Sequence, residues 1–181
     1  MTATGRLTAG LPPPVAAMLA TPAPPPTGDG CSYELKFDGV RALVRVAGTP
    51  LIAHSRAQRD VSASYPELRA LAFLLCGRSV TLDGELVAVN PATSTPSFSL
   101  LQGRIHVQAP QPNLLDSVPV RFIVFDVLHL DGHATTQLPY KQRRALLDQL
   151  GLDGAVVHVP PVFDDLDQAL IVARGGFEGI L

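Results

Sequence analysis

The stretch VRFIVFDVLHL, residues 120–130, is the strongest β-strand signal in this chain of 181 residues. It consists almost entirely of apolar, β-branched and aromatic residues, and the turn pair Asp131-Gly132 ends it. This composition predicts a central strand, around which the other strands and helices assemble.

Upstream of this stretch, short runs rich in Val, Leu and aromatic residues predict further strands. They are YELKF (33–37), VRALVRVA (40–47), PLIAHS (50–55) and, after the turn pair DG, the strand in TLDGELVAVN (81–90). The turn signals DG and GTP separate the first three, which predicts an antiparallel meander.

Helical spacing of apolar residues appears in YPELRALAFLL (65–75), for which Ser64 is the predicted cap. Further predicted helices are SFSLLQGRI (97–105), PYKQRRALLDQL (139–150) and DDLDQALIVAR (164–174), and further predicted strands are AVVHV (155–159) and FEGIL (177–181). Because strands and helices mix without a regular βαβ rhythm, we predict an α+β fold with mainly antiparallel sheets and flanking helices.

The composition excludes several classes of protein. A net charge of −2 gives no sign of a nucleic-acid, membrane-surface or acidic partner. Cys31 and Cys76 form no CxxC pair, which argues against a disulfide framework and a structural zinc site. No apolar run approaches the roughly 20 residues of a transmembrane helix. We therefore expect a cytoplasmic protein that does not enter a membrane.

Proline and small residues dominate residues 11–30. Residues 1–30 are therefore predicted to form an extended arm without a core of its own. The folded domain is predicted over residues 31–181.

A lysine interrupts the first predicted strand, in the segment YELKFDGVRALV (33–44). A charged amine in such a run is costly unless the site uses it, and Lys36 beside the cation Arg41 becomes a better nucleophile when it loses water. The pattern K-x-D-G-x-R adds the carboxylate of Asp38, a glycine that allows close backbone approach at position 39, and an arginine suited to ribose or phosphate oxygens. On residue type alone, a solvated surface lysine is the alternative.

This pattern and four later segments resemble, in order, the motifs of the covalent nucleotidyltransferases, and within them the ATP-dependent DNA ligases of bacterial end joining and repair. The segments are KFDGVR (36–41), SRAQRD (55–60), LDGELVAV (82–89), FIVFDVLHLDG (122–132) and FEGIL (177–181). Each motif alone is weak, whereas five in the family's order are specific. The resemblance runs from Met18 to the last residue and implies an adenylation domain with an ATP-grasp-like nucleotidyltransferase fold.

The resemblance also implies a role for each matching residue. Lys36 would attack ATP and carry AMP through a phosphoamide bond, and Phe125 would stack on the adenine. The implied nucleotide-binding residues are Glu34, Asp38, Gly39, Arg41, Arg56, Glu85 and Phe125, with Glu178 for Mg²⁺. Judged in isolation, Phe125 is as readily a core residue, Arg56 a solvated charge and Glu85 the neighbour of a common DG turn.

The function that the resemblance implies is ATP-dependent DNA ligation, in which AMP passes from the lysine to a DNA 5′-phosphate and a nick is sealed. The implied settings are repair, recombination, replication and non-homologous end joining, with ATP and Mg²⁺ as cofactors. Nicked or broken double-stranded DNA and end-joining proteins are the implied partners, at the bacterial nucleoid. The alternatives are an RNA ligase, a capping-type nucleotidyltransferase and a non-catalytic nucleotide-binding remnant.

The last matching motif of the family continues with a lysine that would fall just beyond Leu181, ahead of an oligonucleotide-binding domain. We therefore expect an adenylation domain that is incomplete at its C-terminus, with weak or absent self-adenylylation by this chain alone.

Two other polar groups are predicted to lie outside the site. The basic run KQRR (141–144) is predicted to be an exposed helix face, with contacts to phosphates as the alternative. His129 and His133 straddle a DG turn and are predicted to be turn and surface residues rather than metal ligands.

Overall fold

A computed structural model describes residues 15–26, 28, 30–48 and 50–181. The strands are β1 (Tyr33–Lys36), β2 (Val40–Ala47), β3 (Leu51–Ser55), β4 (Ser79–Ala88), β5 (Val120–Leu130), β6 (His133–Ala134), β7 (Val157–His158), β8 (Val162–Phe163) and β9 (Gly179–Ile180). The helices are α1 (Ala70–Leu74), α2 (Phe98–Gln102), α3 (Pro112–Ser117), α4 (Tyr140–Gln149) and α5 (Leu166–Ala173), and the 3-10 helices Ser62–Ser64 and Pro66–Arg69 precede α1. The predicted α+β class, with mainly antiparallel sheets and flanking helices, is confirmed.

The larger sheet is built around β5, as the sequence predicts. Its order is β3-β2-β4-β5-β6 with antiparallel neighbours, and β7 joins β5 as a parallel strand. The pairing of β4 with β5 runs from Val80 opposite Leu130 to Ala88 opposite Val120. Long strands with many apolar residues can pair over such a distance because they bury side chains along their whole length.

The hydrophobic core lies against one face of this sheet. Alternate residues of β2, namely Ala42, Val44 and Val46, pack in one cluster with Leu71 of α1 and Leu101 of α2. Because side chains alternate across a strand, the residues between them point to the opposite face. That opposite face carries the charged residues of the predicted site.

The predicted meander of the first three strands is wrong for β1. This strand belongs to a separate small sheet of order β8-β1-β9, where Tyr33 lies opposite Phe163 and Lys36 opposite Gly179. The DG pair after β1 therefore does not reverse the chain into a hairpin with β2. It carries the chain from the small sheet to the large one, and Lys36 therefore lies where the two sheets meet.

Two short-range signals predict the wrong local structure. The pair Asp83-Gly84 is not a turn, because both residues lie inside β4 at a register shift against β5. Ser64 is not a helix cap, because it is buried within a 3-10 helix and the helix that follows has no side-chain cap. Pairing with long neighbouring strands and helices overrides these short-range preferences.

His129 lies in β5 and is buried, contrary to the prediction of a surface residue. It stands opposite Thr81 of β4, and burial lowers its pKa. His133, after the turn, is exposed as predicted.

The predicted arm lies partly outside the described residues, which omit positions 1–14, 27 and 29. Its described part has no helix or strand, but it contacts the domain: the Tyr33 hydroxyl donates a hydrogen bond to the Pro26 carbonyl at 2.7 Å. None of the helices in the described ranges has the length and apolar character needed to cross a membrane.

Candidate active site

A cleft of about 670 Å³ opens between the small sheet and the polar face of the large sheet. The segment Met18–Ala20 also borders it. Every residue that the sequence predicts for the site lines this cleft: Glu34, Lys36, Asp38, Gly39, Arg41, Arg56, Glu85, Phe125 and Glu178. The fold thus gathers five separate motifs at one place.

Lys36 lies at the end of β1, where the backbone of the final segment fixes it. The backbone N–H of Glu178 donates to the Lys36 carbonyl at 3.0 Å, and Gly179 pairs with Lys36 across the strands. The Lys36 ammonium forms an ion pair with the Glu178 carboxylate, and both side chains remain partly exposed. The immediate neighbour of the amine is therefore an anion, rather than the cation Arg41 that the sequence suggested.

Arg41 is held by a buried carboxylate on the neighbouring strand. Its Nε and Nη2 donate to the two oxygens of Asp83 at 2.5 and 2.8 Å, a bidentate arrangement that fixes the plane of the guanidinium. The guanidinium carbon lies 4.4 Å from the ring centroid of Phe125, in cation–π contact. Asp83 thus orients Arg41, and Arg41 covers one face of the ring.

Glu85 stands opposite Arg41 on β4, in the wall of the cleft. Burial raises the pKa of its carboxyl to about 7, while Arg41 and Lys36 favour the ionised form and Asp83 opposes it. Because its pKa is near neutral, the charge of Glu85 changes between pH 6 and 8 unless a cation binds beside it.

This pKa predicts that Glu85→Gln stabilises the protein at alkaline pH. In the unfolded chain the carboxyl ionises near its ordinary pKa. Ionised Glu85 therefore lowers the free energy of unfolding at pH values above its folded-state pKa of about 7. Below the unfolded-state pKa the carboxyl is protonated in both states and this effect is absent. We expect the variant to exceed the parent by about 1–3 kcal/mol in unfolding free energy at pH 8, with the gain shrinking towards pH 5. Urea denaturation at both pH values measures this gain, and Asp116→Asn, at an exposed position, is the control. An equal gain at both pH values would show that ionisation of Glu85 is not its cause.

Gly39 is required by close packing rather than by an unusual dihedral angle. A Cβ at this position would collide with the Leu86 carbonyl and the Glu85 side chain of β4. The absence of a side chain lets the segment after Lys36 lie directly against β4. The close approach predicted from K-x-D-G is therefore present, and it brings Lys36 and Glu85 into one site.

Arg56 projects from a tight turn at the rim of the cleft. The Ser55 carbonyl accepts from the Gln58 N–H at 2.8 Å, and the Ser55 N–H donates to the Arg59 carbonyl at 2.9 Å. Gln58 adopts a left-handed φ of +61°, a conformation that favours glycine. The turn forms despite this residue, and the exposed side chain of Arg56 makes no ion pair within the described ranges.

Glu34 is fixed at another part of the cleft by two residues of α4. The Tyr140 hydroxyl donates to Oε1 of Glu34 at 2.8 Å, and Nη1 of Arg144 lies 3.4 Å from the same oxygen. Burial raises the pKa of Glu34, and the two partners act in the opposite direction. The predicted exposed face of KQRR is thus wrong for Arg144, whose side chain is 12% exposed.

Arg143 is the second departure from that exposed face. It makes a bidentate ion pair with Asp126 of β5, at 2.9 Å from Nε to Oδ1 and 2.8 Å from Nη2 to Oδ2. Its Nη1 donates to the Leu138 carbonyl at 2.7 Å. Since Asp126 follows Phe125, this pair anchors α4 next to the ring. No local sequence signal indicates the pairing of Arg143 with Asp126, because the two residues lie in different elements.

Divalent-cation chemistry depends on the carboxylates around Lys36. No group of three or more His, Cys, Asp or Glu side chains suited to a metal occurs within the described ranges. Mg²⁺ in nucleotide sites usually takes only one or two carboxylates and completes its shell with phosphate oxygens and water. Glu85 and Glu178, both on the cleft wall, match that smaller requirement.

Comparisons with known proteins identify relatives of this chain. The family model described as "ATP dependent DNA ligase domain" matches residues 18–162. The multifunctional non-homologous end joining DNA repair protein LigD of Mycobacterium tuberculosis is 38% identical over 152 residues, which are 83% of this chain and 18% of LigD. DNA ligase C2 of Mycolicibacterium smegmatis is 35% identical over 162 residues, which are 87% of this chain and 44% of that protein.

Solved structures give the same relationship. A mycobacterial DNA ligase D complexed with ATP and MES matches with a TM-score of 0.68 and 37% identity, over 82% of this chain and 46% of that chain. The ligase domain of LigD from M. tuberculosis matches equally well. The chain spans less than half the length of each of these relatives.

Proposed function

This chain belongs to the family of ATP-dependent DNA ligase domains, and from this premise we propose that its cleft binds ATP and that Lys36 receives AMP. The convergence of all the motif residues on one cleft carries the proposal. These residues come from β1, β2, β4, β5 and the chain's final segment, so no local sequence constraint brings them together.

The proposed reaction is nucleophilic substitution at the α-phosphorus. A bond forms between Nζ of Lys36 and this phosphorus, the bond to the bridging oxygen breaks, and pyrophosphate leaves with the electron pair. The amine must lose a proton before or during the attack, and water can take this proton because the Lys36 side chain is 37% exposed. Since little else is covalent, positioning and charge neutralisation supply most of the rate.

The nucleotide is proposed to lie across the large sheet. Its base stacks on the part of the Phe125 ring that Arg41 leaves open, with Glu34 at the edge of the base. The ribose hydroxyls lie near Glu85, and Arg41 and the exposed Arg56 supply positive charge towards ribose and phosphate oxygens.

Mg²⁺ is proposed as the second cofactor, held by Glu178 and Glu85. When bound, the ion neutralises charge on the phosphates. Its binding also requires ionised Glu85, so the pKa of about 7 makes ion binding stronger as pH rises through neutrality.

We also propose that AMP passes from Lys36 to the 5′-phosphate of nicked or broken double-stranded DNA, which is then sealed. The names of the LigD relatives, which describe non-homologous end joining, support end-joining proteins as further partners. These relatives are more than twice as long as the part that this chain matches.

A thermal-shift series tests the nucleotide site. We expect ATP with Mg²⁺ at about 100 times its Kd to raise Tm by roughly 5–10 °C, whereas GTP raises it much less. Phe125→Leu should reduce the ATP shift, while Phe73→Leu, at a phenylalanine that is 83% exposed on α1, should leave it unchanged. No shift with millimolar ATP, or equal shifts with ATP and GTP, would contradict an adenine-specific site.

A further inference from the structure

We propose that Tyr140 and Arg144 are positioning residues that set the specificity of the cleft, because they orient Glu34 to recognise the amino group of adenine. The inference rests on the proposed function and goes beyond it, since neither residue lines the cleft. It assigns a part in nucleotide choice to α4, whose basic residues the sequence suggested were merely solvated.

The hydrogen bonds to Glu34 are asymmetric. Tyr140 and Arg144 both engage Oε1, at 2.8 and 3.4 Å. Oε2 receives no hydrogen bond from any residue in the described ranges. Both donors thus engage one carboxylate oxygen, and the other is left as an acceptor for a ligand in the cleft that Glu34 lines.

Hydrogen bonds to its backbone and to its side-chain partner Arg144 hold Glu34 in place. Its backbone N–H donates to the Leu181 carbonyl at 2.9 Å and its own carbonyl accepts from the Leu181 N–H at 2.8 Å. Arg144 is itself fixed, because it donates to the Pro160 carbonyl and lies 3.1 Å from a carboxylate oxygen of Asp148. A carboxylate whose rotamer is fixed loses less entropy on binding and can reject a ligand without a matching donor.

Helix α4 couples this acceptor to the stacking ring. Tyr140 and Arg144 are one turn apart and therefore share a helix face. Arg143, beside them, donates hydrogen bonds to both carboxylate oxygens of Asp126, and Asp126 directly follows Phe125 in β5. The ring that would hold the base and the carboxylate that would contact its edge are thus positioned by the same helix.

The chemistry of adenine identifies the group that is recognised. The exocyclic 6-amino group is the donor on the pairing edge of adenine, whereas a carboxylate only accepts hydrogen bonds. Purine riboside triphosphate lacks this amino group and otherwise matches ATP. A hydrogen bond to a charged, desolvated acceptor is expected to give ATP about a 10-fold or greater advantage over this analogue.

Equilibrium binding of both nucleotides to the full chain tests the inference. Tyr140→Phe removes one hydroxyl with almost no change in volume, and Arg144→Gln removes the charge. Each is expected to reduce the preference for ATP to about 3-fold or less, while affinity for the analogue changes by less than about 2-fold. Lys141→Ala, at an exposed position of the same helix, is the matched control and should keep the full preference.

The outcomes separate the two proposals. If the parent chain binds both nucleotides equally, or if the Tyr140 and Arg144 variants keep the parent ratio, the inference is wrong and the nucleotide site stands. If the parent binds neither nucleotide, the proposed function is wrong and the inference with it. A uniform loss of affinity for both nucleotides, with lowered Tm, would show a merely structural role and also overturn the inference.

Discussion

Lys36→Arg is expected to abolish the covalent transfer of AMP to this chain. Arginine keeps the positive charge and can still pair with Glu178, but its guanidinium does not lose a proton in proteins and is therefore no nucleophile. Loss of the attacking group should reduce the rate by a factor on the order of 1,000 or more. Incubation with ATP labelled at the α-phosphate, followed by denaturing electrophoresis, measures the covalent product.

The chain supplies its own control for this experiment. Lys141 is its only other lysine and lies exposed on α4. Lys141→Arg should retain the label, and the thermal stabilisation of Lys36→Arg by ATP should persist because binding does not need the nucleophile. Undiminished labelling of Lys36→Arg would rule out Lys36 as the acceptor of AMP.

Arg104→Met is expected to destabilise the fold more than any of the substitutions at the cleft. Arg104 is fully buried beneath the sheet, where its guanidinium pairs with Glu67 and donates to the carbonyls of Val118 at 3.0 Å and Ser64 at 2.7 Å. Removing it leaves a carboxylate and two carbonyls without partners. Breaking such a buried pair typically costs about 3–5 kcal/mol.

Urea denaturation measures this loss, and two further variants identify its cause. Arg78→Met removes a two-donor ion pair with Asp131 in which both side chains are over 40% exposed, so it should cost less than about 1 kcal/mol. Adding Glu67→Gln to Arg104→Met should recover part of the loss, because it removes the uncompensated charge. A small loss for Arg104→Met would mean that water reaches its partners.

Strand signals and motif residues could be predicted because their signals are local. The apolar run of β5 indicates a central strand whatever its neighbours are, and it is central. The residues Lys36, Asp38 and Gly39 belong to a motif that is weak alone and becomes specific only in order with the four later motifs. In the folded protein, motif residues of β1, β2, β4 and β5 all line the same cleft.

Pairing partners were not predictable, since they depend on contacts between distant parts of the chain. β1 pairs with β8 and β9, which are short and lie at the other end of the domain. A DG pair after a strand is compatible both with a hairpin and with a crossing between sheets. The packing of Gly39 against Leu86 is what distinguishes them, and it exists only in the folded protein.

Buried charges could not be predicted for a similar reason. Arg104, Arg143 and Arg144 look like solvated residues on helices or turns, because lysine and arginine are usually exposed. Their burial depends on Glu67, Asp126 and Glu34, which lie far away in sequence or on other elements. Their positions could be predicted only if the carboxylate partner of each arginine were known. No local sequence pattern identifies these partners.

Lys36 is proposed to be the residue that carries AMP. Peptide mass spectrometry after incubation with ATP and Mg²⁺ tests it most directly, because the position of the adenylyl group matters rather than its yield. We expect one modified peptide, with AMP on Lys36 and none on Lys141. Modification at Lys141 or another residue, with Lys36 left unmodified, would contradict this claim.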